Sequence, residues 1–451
     1  MSVVALGIIA AVLSATSFNV AIPALMAEFG LGQERVQWAV TGFMGAMTLA
    51  MLPTPWLLER FGFRRCFLTA LGVLAVASVA GSLSPSFGFL VAMRALQGAA
   101  AGLLQPLGIL AVMRLFPPHS QGRASGLLGF GIVLAPATAP ALGGVLLDHF
   151  GWAAVFWLNL PFCLLAGVAA LFLLPVAEGK EAKPFDWRGV LMLALATVAS
   201  IEAVAALQHS GLWSVWTLLP AGAAVLAFAA FARHSRRVTA PIIQPELFAN
   251  RNFTLGNVVA FVYGFGLYAS TYLIPVFMLA ALGYSATEAG AALLPAGIVL
   301  AVCIPLAGRL ADRYAPKKVT VAGLGVFGLS FVLLAIYGGN ISHGELIAFI
   351  IVGRIGLGLI LPSLNLAGLR GMKPEQLGQS SMVISYARQL GGVLGVAICA
   401  VFVEWRLSVM GPDAAAQAFA QSFLLLALVF GLAFVAALGM RSSQAGAGEA
   451  P

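Results

Sequence analysis

Fourteen apolar stretches of about twenty residues, separated by short links, leave this 451-residue sequence few ways to fold. The hydrocarbon core of a bilayer is about 30 Å thick and takes roughly 20 residues of helix to cross. By that measure the stretches 3–24, 37–58, 66–83, 87–112, 126–147, 153–174, 190–207, 214–232, 254–279, 289–308, 319–337, 346–369, 379–402 and 419–439 are expected to be membrane-spanning helices. Composition agrees: 61% of the residues are hydrophobic and 9% charged, against about 25% charged in a soluble domain. The expected class is an all-α polytopic membrane protein.

Charge placement sets the expected orientation, because Lys and Arg are retained in cytoplasmic loops. With both termini in the cytoplasm, nineteen of the 24 basic residues fall in cytoplasmic links or the tail. Arg35 and Arg406 fall outside, and Arg94, Arg354 and Arg388 lie within spans. The formal charge of +8 is therefore a topology signal, and no nucleic-acid partner is expected. The cysteines Cys66, Cys163, Cys303 and Cys399 stand singly, as do the five histidines, so no disulfide framework, metal site or cofactor is expected. An embedded enzyme would need a nucleophile, base or metal cluster, and these isolated side chains supply none. The run 3–23 lacks a basic segment before it and exceeds the roughly 7–15 residues of a signal-peptide core, so it is expected to be retained as a span.

The links carry an internal repeat. Residues 56–65 read Trp-Leu-Leu-Glu-Arg-Phe-Gly-Phe-Arg-Arg, and residues 309–318 read Arg-Leu-Ala-Asp-Arg-Tyr-Ala-Pro-Lys-Lys. At a similar offset Arg94 with Gly98 answers Arg354 with Gly358, and Gly122 answers Gly378. The chain then divides into a six-helix half at 1–175, two inserted helices with linkers at 176–250, a second six-helix half at 251–440 and a tail at 441–451, expected to be disordered. An acid in such a link can pair with Arg or face a helix terminus, holding one packing of two helices and breaking in another.

Parallel six-helix repeats resemble the major facilitator superfamily of secondary transporters, whose site lies between the repeats. Both charged links are similar to its loop-two signature, Gly-x-Leu-Ala-Asp-Arg-x-Gly-Arg-Arg. That resemblance implies a cytoplasmic latch formed by Glu59, Arg60, Gly62 and Arg64 and by Gly308, Asp312 and Arg313. Pro55 and Glu59 replace the signature's Gly and Asp in the first copy, and Ala315-Pro316 replaces its later Gly-Arg in the second. Arg94-Ala-Leu-Gln97-Gly98 resembles the family's span-four pattern, whose Arg is associated with proton transfer or substrate contact. Quite apart from the family, an Arg inside a span costs about 2.5–3.5 kcal/mol, so it faces partners or a cavity; anchorage to backbone carbonyls is the structural alternative. Span five carries Gly126, Ala135-Pro136, Ala139-Pro140 and Gly143-Gly144. This looks like the antiporter signature of drug exporters, although proline and glycine alone would also make a generic kinked helix. The stretches 152–161, 186–189, 245–248 and 250–253, with Arg388-Gln389-Leu-Gly-Gly in span thirteen, are similar to the fourteen-span drug:proton antiporter branch.

The departure from that branch lies in span one. Its members commonly carry Leu-Asp-x-Thr-x-x-Asn-Val-Ala-Leu-Pro, whereas this chain reads Leu13-Ser-Ala-Thr-Ser-Phe-Asn-Val-Ala-Ile-Pro23, with Ser14 in the position of the acid. Glu202 in span seven is the acid well inside a span and a candidate for proton coupling, although from the outer end it can snorkel to water. Arg94, Arg354 and Arg388 leave the core positive, which favours neutral or anionic substrates over cations. Gln97, Gln389, Asn19, Gln105 and Asn365 are further candidates, because an amide inside a span needs a partner. The expectation is an inner-membrane exporter that moves small hydrophobic compounds by alternating access with proton antiport. An uncoupled metabolite exporter or facilitator of the same fold is the second reading. A non-transporting receptor or scaffold is the third, and it would need soluble modules or long loops that the sequence lacks.

Overall fold

The computed structural model describes residues 2–175, 184–338, 341–411 and 414–441; the link 176–183 and residues 442–451 of the expected tail lie outside the described residues. The apolar stretches become helices: α1 (Ser2–Ser17), α2 (Ile22–Phe29), α3 (Gln33–Val36), α4 (Trp38–Ala50), α5 (Thr54–Ser82), α6 (Phe87–Leu115), α7 (Gln121–Phe150) and α8 (Leu160–Leu173). They continue as α9 (Trp187–Ser210), α10 (Val215–Ser235), α11 (Arg251–Ala280), α12 (Ala286–Arg313), α13 (Pro316–Tyr337), α14 (His343–Leu369), α15 (Leu377–Met410) and α16 (Ala415–Leu438). Some starts are written in the sequence. Ser285 with Glu288 and Ser342 with Glu345 form reciprocal capping boxes at α12 and α14, each satisfying two amide groups that a helix start leaves open.

Among the described residues eleven helices are long and apolar enough to cross a bilayer, or twelve if α1 and α2, bent by 59° about the turn Phe18–Ala21, are one span. The difference from fourteen has a local cause in the second stretch. α4 stops after 13 residues, short of Pro53 and Pro55, and the chain turns before α5 begins. α5 is itself interrupted at Gly62, whose φ of 75° suits glycine, so its residues 54–58 complete the second stretch and its residues 66–82 form the third, with the charged link between them. α7 is a continuous helix of 30 residues, with part of its side chains outside the described residues.

Two compact units result. One comprises Met1–Pro117, Leu127–Asp186 and Pro374–Ser385; the other comprises Pro118–Gly126, Trp187–Lys373 and Tyr386–Pro451. Their internal packing repeats. In the first unit α6 packs on α4, α5 and α1, and α1 on α8; in the second α14 packs on α12, α13 and α11, and α11 on α16. The inserted pair α9 and α10 pack on each other within the second unit, where the Thr197 hydroxyl of α9 meets the Tyr386 hydroxyl of α15. The tightest of these contacts use glycine. A Cβ on Gly98 or Gly102 would collide with the carbonyl oxygens of Phe43 and Met47, so these two positions let α6 lie directly on the backbone of α4.

Candidate functional site

Arg94 is the most enclosed charge in the first unit, 1% exposed and two turns into α6. Its Nε donates to the Ala39 carbonyl at 3.1 Å. Its Nη1 donates to the Ser14 carbonyl at 3.0 Å, to the Ser14 hydroxyl at 3.4 Å and to Gln97 Oε1 at 2.9 Å. Above and below, the rings of Phe18 and Phe43 each lie 4.3 Å from the guanidinium carbon. Hydrogen bonds from a charged donor contribute about 1.5–3 kcal/mol each, and a desolvated cation–π contact about 2 kcal/mol. Together these offset an insertion cost of about 2.5–3.5 kcal/mol. The charge is therefore held by carbonyls and aromatic faces, and among the described residues no carboxylate pairs with it. Nη2 is buried and has no hydrogen-bond partner. Ser14, the position of the missing acid, is in direct contact with Arg94.

The polar chain runs on from Arg94. Gln97 Nε2 donates to Ser78 Oγ at 2.7 Å, and Ser78 Oγ donates to Asn159 Oδ1 at 3.0 Å. Neither Ser78 nor Asn159 was singled out from sequence, although Asn159 lies in the 152–161 motif. Gln105 is half-buried, with Nε2 3.8 Å from Met47 Sδ. The side chains of Asn19, Pro136 and Pro140 lie outside the described residues. Gly143 approaches the Ser17 carbonyl, whereas Gly144 faces open space.

In the second unit Arg354 and Arg388 are half-buried on α14 and α15, and Tyr263 of α11 lies in the electrostatic field of both. Gln389 is 2% exposed and accepts from the Tyr268 hydroxyl at 3.5 Å. Asn365 is buried with its Oδ1 unpartnered. Asn257, missed from sequence, is also buried; its Nδ2 donates to the Phe253 carbonyl at 2.8 Å and its Oδ1 has no partner. The amide rule that found Asn365 would have found Asn257 in stretch 254–279. Glu202 lies exposed on α9.

The two charged links share one role and differ in another. Arg64 Nη2 donates to the Leu171 carbonyl at 2.6 Å, and Lys317 Nζ donates to the Leu438 carbonyl at 2.8 Å. The first residue of the closing basic pair in each copy thus caps the C-terminal carbonyls of α8 or α16, where a cation also meets the negative helix end. The acids diverge. Asp312 accepts from the Gly122 amide (Oδ1, 2.6 Å) and from the Arg123 amide (Oδ2, 2.8 Å) at the start of α7. Gly122 and Gly308 lie so close that a Cβ on either would strike the other's carbonyl oxygen. Glu59 is exposed and makes no hydrogen bond or ion pair among the described residues. Pro55, in the position of Gly308, is buried, its Cβ 4.0 Å from where a Cβ on Gly378 would stand. Arg60 lies over the rings of Trp56 and Phe61, and Arg313 over Tyr314.

Fold and site define an all-helical, multi-pass membrane protein with a buried cation, Arg94, and buried amides inside its spans. The chain matches the family model of the Major Facilitator Superfamily over residues 4–396, and it belongs to that family of small-molecule transporters. It is 29% identical over 402 residues to the Multidrug resistance protein B homolog of Mycobacterium tuberculosis, covering 87% of this chain and 74% of that one. It is also 29% identical over 418 residues to the Tetracenomycin C resistance and export protein of Streptomyces glaucescens, covering 92% and 77%. The solved structure of the proton:xylose symporter XylE is similar in fold, with a TM-score of 0.67, 14% identity and coverage of 94% and 93%.

Proposed function

We propose that this chain is a fourteen-span exporter of small hydrophobic compounds in the cell inner membrane, with both termini cytoplasmic, working by alternating access between its halves 1–175 and 251–440. Its preferred substrates are neutral or anionic. The observation that carries this reading is Arg94, a buried cation held by carbonyls, Ser14 and two aromatic rings without a carboxylate partner. An uncompensated positive charge repels cations and draws anionic groups. The names of two relatives, a multidrug resistance protein B homolog and a tetracenomycin C resistance and export protein, support an export role. The fourteen-span count is supported by the helix found in each expected stretch, with the second formed by α4 and the first turns of α5. Asp312 serves as the cytoplasmic latch by capping α7 in one conformation and releasing it in the other.

Proton antiport is the first reading of the coupling, supported by the span-five motif. A second reading, export without proton coupling, is favoured by Ser14, whose hydroxyl cannot carry a proton at physiological pH. Purified protein in liposomes with an imposed pH gradient separates them. An antiporter concentrates a hydrophobic anionic dye when the gradient is imposed and stops when an ionophore collapses it. Accumulation indifferent to the gradient removes antiport, and no transport of any hydrophobic probe removes the exporter reading itself.

A further inference from the structure

Three arginines from three helix ends share one cavity. It measures about 380 Å³ and is lined by Asn250, Arg251, Asn252, Arg370, Gly371 and Arg441. Arg251 opens α11, Arg370 follows α14 and Arg441 follows α16. No acidic side chain lines the cavity, and among the described residues none of the three arginines forms an ion pair.

Two asparagines build the walls. Asn250 Oδ1 accepts from the amides of Asn252 at 2.9 Å and Phe253 at 3.2 Å, capping α11, while its Nδ2 donates to the Arg370 carbonyl at 3.3 Å. Asn252 accepts from the Arg441 amide at 2.7 Å and donates to the Arg441 carbonyl at 3.3 Å. These bonds occupy the carbonyls that follow α14 and α16, whose negative partial charge would otherwise repel an anion. The start of α11 contributes positive partial charge. Gly371, with a φ of 79°, turns the chain after α14, and a Cβ there would come within 3.4 Å of Asn250 Nδ2.

We propose that this cavity binds a phosphate group, delivered either by the headgroup of an anionic phospholipid or as free inorganic phosphate. Three guanidinium groups match the oxygens of a phosphate by paired hydrogen bonds, which lysine would not do as well. The volume falls in the range of small-molecule sites, about 300–1,000 Å³. The cavity sits at the ends of three membrane helices, on the face where Lys317 of the second charged link reaches the end of α16; in the orientation proposed above, the headgroup phosphates of the cytoplasmic leaflet lie there.

The test uses the full-length protein in detergent, titrated with phosphatidylglycerol, phosphatidylcholine or inorganic phosphate. Bound lipid is counted by native mass spectrometry and unfolding is followed by tryptophan fluorescence. Phosphatidylglycerol is expected to bind and to raise the unfolding temperature, with phosphatidylcholine much weaker. Each of Arg251→Gln, Arg370→Gln and Arg441→Gln is expected to weaken phosphatidylglycerol binding about fivefold, while Arg233→Gln, outside the cavity, leaves it unchanged. A response to inorganic phosphate without one to phosphatidylglycerol, lost in the same variants, assigns the site to the free anion. Undiminished binding in the triple variant overturns the proposal, as does the lack of any response to both probes. If the triple variant does not fold, Arg251→Gln decides, because its side chain is exposed.

Discussion

Replacing Asp312 with Ala removes the carboxylate that accepts the Gly122 and Arg123 amides at 2.6 and 2.8 Å. Bonds to a charged acceptor contribute about 1.5–3 kcal/mol each, and a negative charge at a helix start adds about 0.3–1 kcal/mol. The Arg123 side chain, 74% exposed and 3.9 Å away, adds little. Water reaching the freed amides recovers part of the loss, leaving about 3 kcal/mol in the packing where α7 and α12 touch. If that contact exists in only one transport conformation, the equilibrium moves against it by about a hundredfold. Spin labels at His119→Cys and Arg309→Cys, both exposed positions, report the spacing of the two links in a background lacking the native cysteines. The Asp312→Ala protein should shift its main population to the longer distance and lose export by at least tenfold. Glu59→Gln should leave both within twofold, because Glu59 caps nothing. An unchanged distance distribution in Asp312→Ala, or an equal response to Glu59→Gln, would refute the asymmetric latch.

Arg94→Met removes a buried cation and leaves acceptors such as Gln97 Oε1 unpaired, at a cost of about 1–3 kcal/mol. Its unfolding temperature should move by a few degrees while export of anionic substrates falls at least tenfold, and unfolding without a selective transport loss would make Arg94 purely structural. Ser14→Asp places a carboxylate against the Arg94 guanidinium, now 3.4 Å from the serine hydroxyl. Lipophilic cations should then gain export relative to matched anions, and unaltered charge selectivity in vesicles would count against the positive core. Gly98→Ala drives a methyl group into the Phe43 carbonyl and should cost about 1–3 kcal/mol. Thermal unfolding checks it against Gly45→Ala, which meets open space and should be silent.

The helical fold was legible because lipid leaves so little freedom: an apolar run of twenty residues has one way to satisfy its backbone. Arg94 was legible for the same reason, since a charge inside a span is too costly to be incidental. Its partners were less so. Ser14, Phe18 and Phe43 come from α1, the turn after it and α4, and nothing in a single helix's pattern says which residues of another will face it. The charged links show the limit most clearly. Their similar wording suggests two equivalent latches, but here Asp312 caps α7 while Glu59 lies exposed, and only packing distinguishes a cap from a solvated acid. The roles of Arg64 and Lys317 depend on carbonyls 107 and 121 residues away, beyond the reach of any local pattern.

Charge selectivity of export bears most directly on the central claim. Wild-type protein in liposomes is given a hydrophobic anion, its neutral parent and a cation of matched size and lipophilicity, and initial rates of export are compared. The anion and the neutral parent should leave faster than the cation; faster export of the cation would contradict a positively charged site built around Arg94.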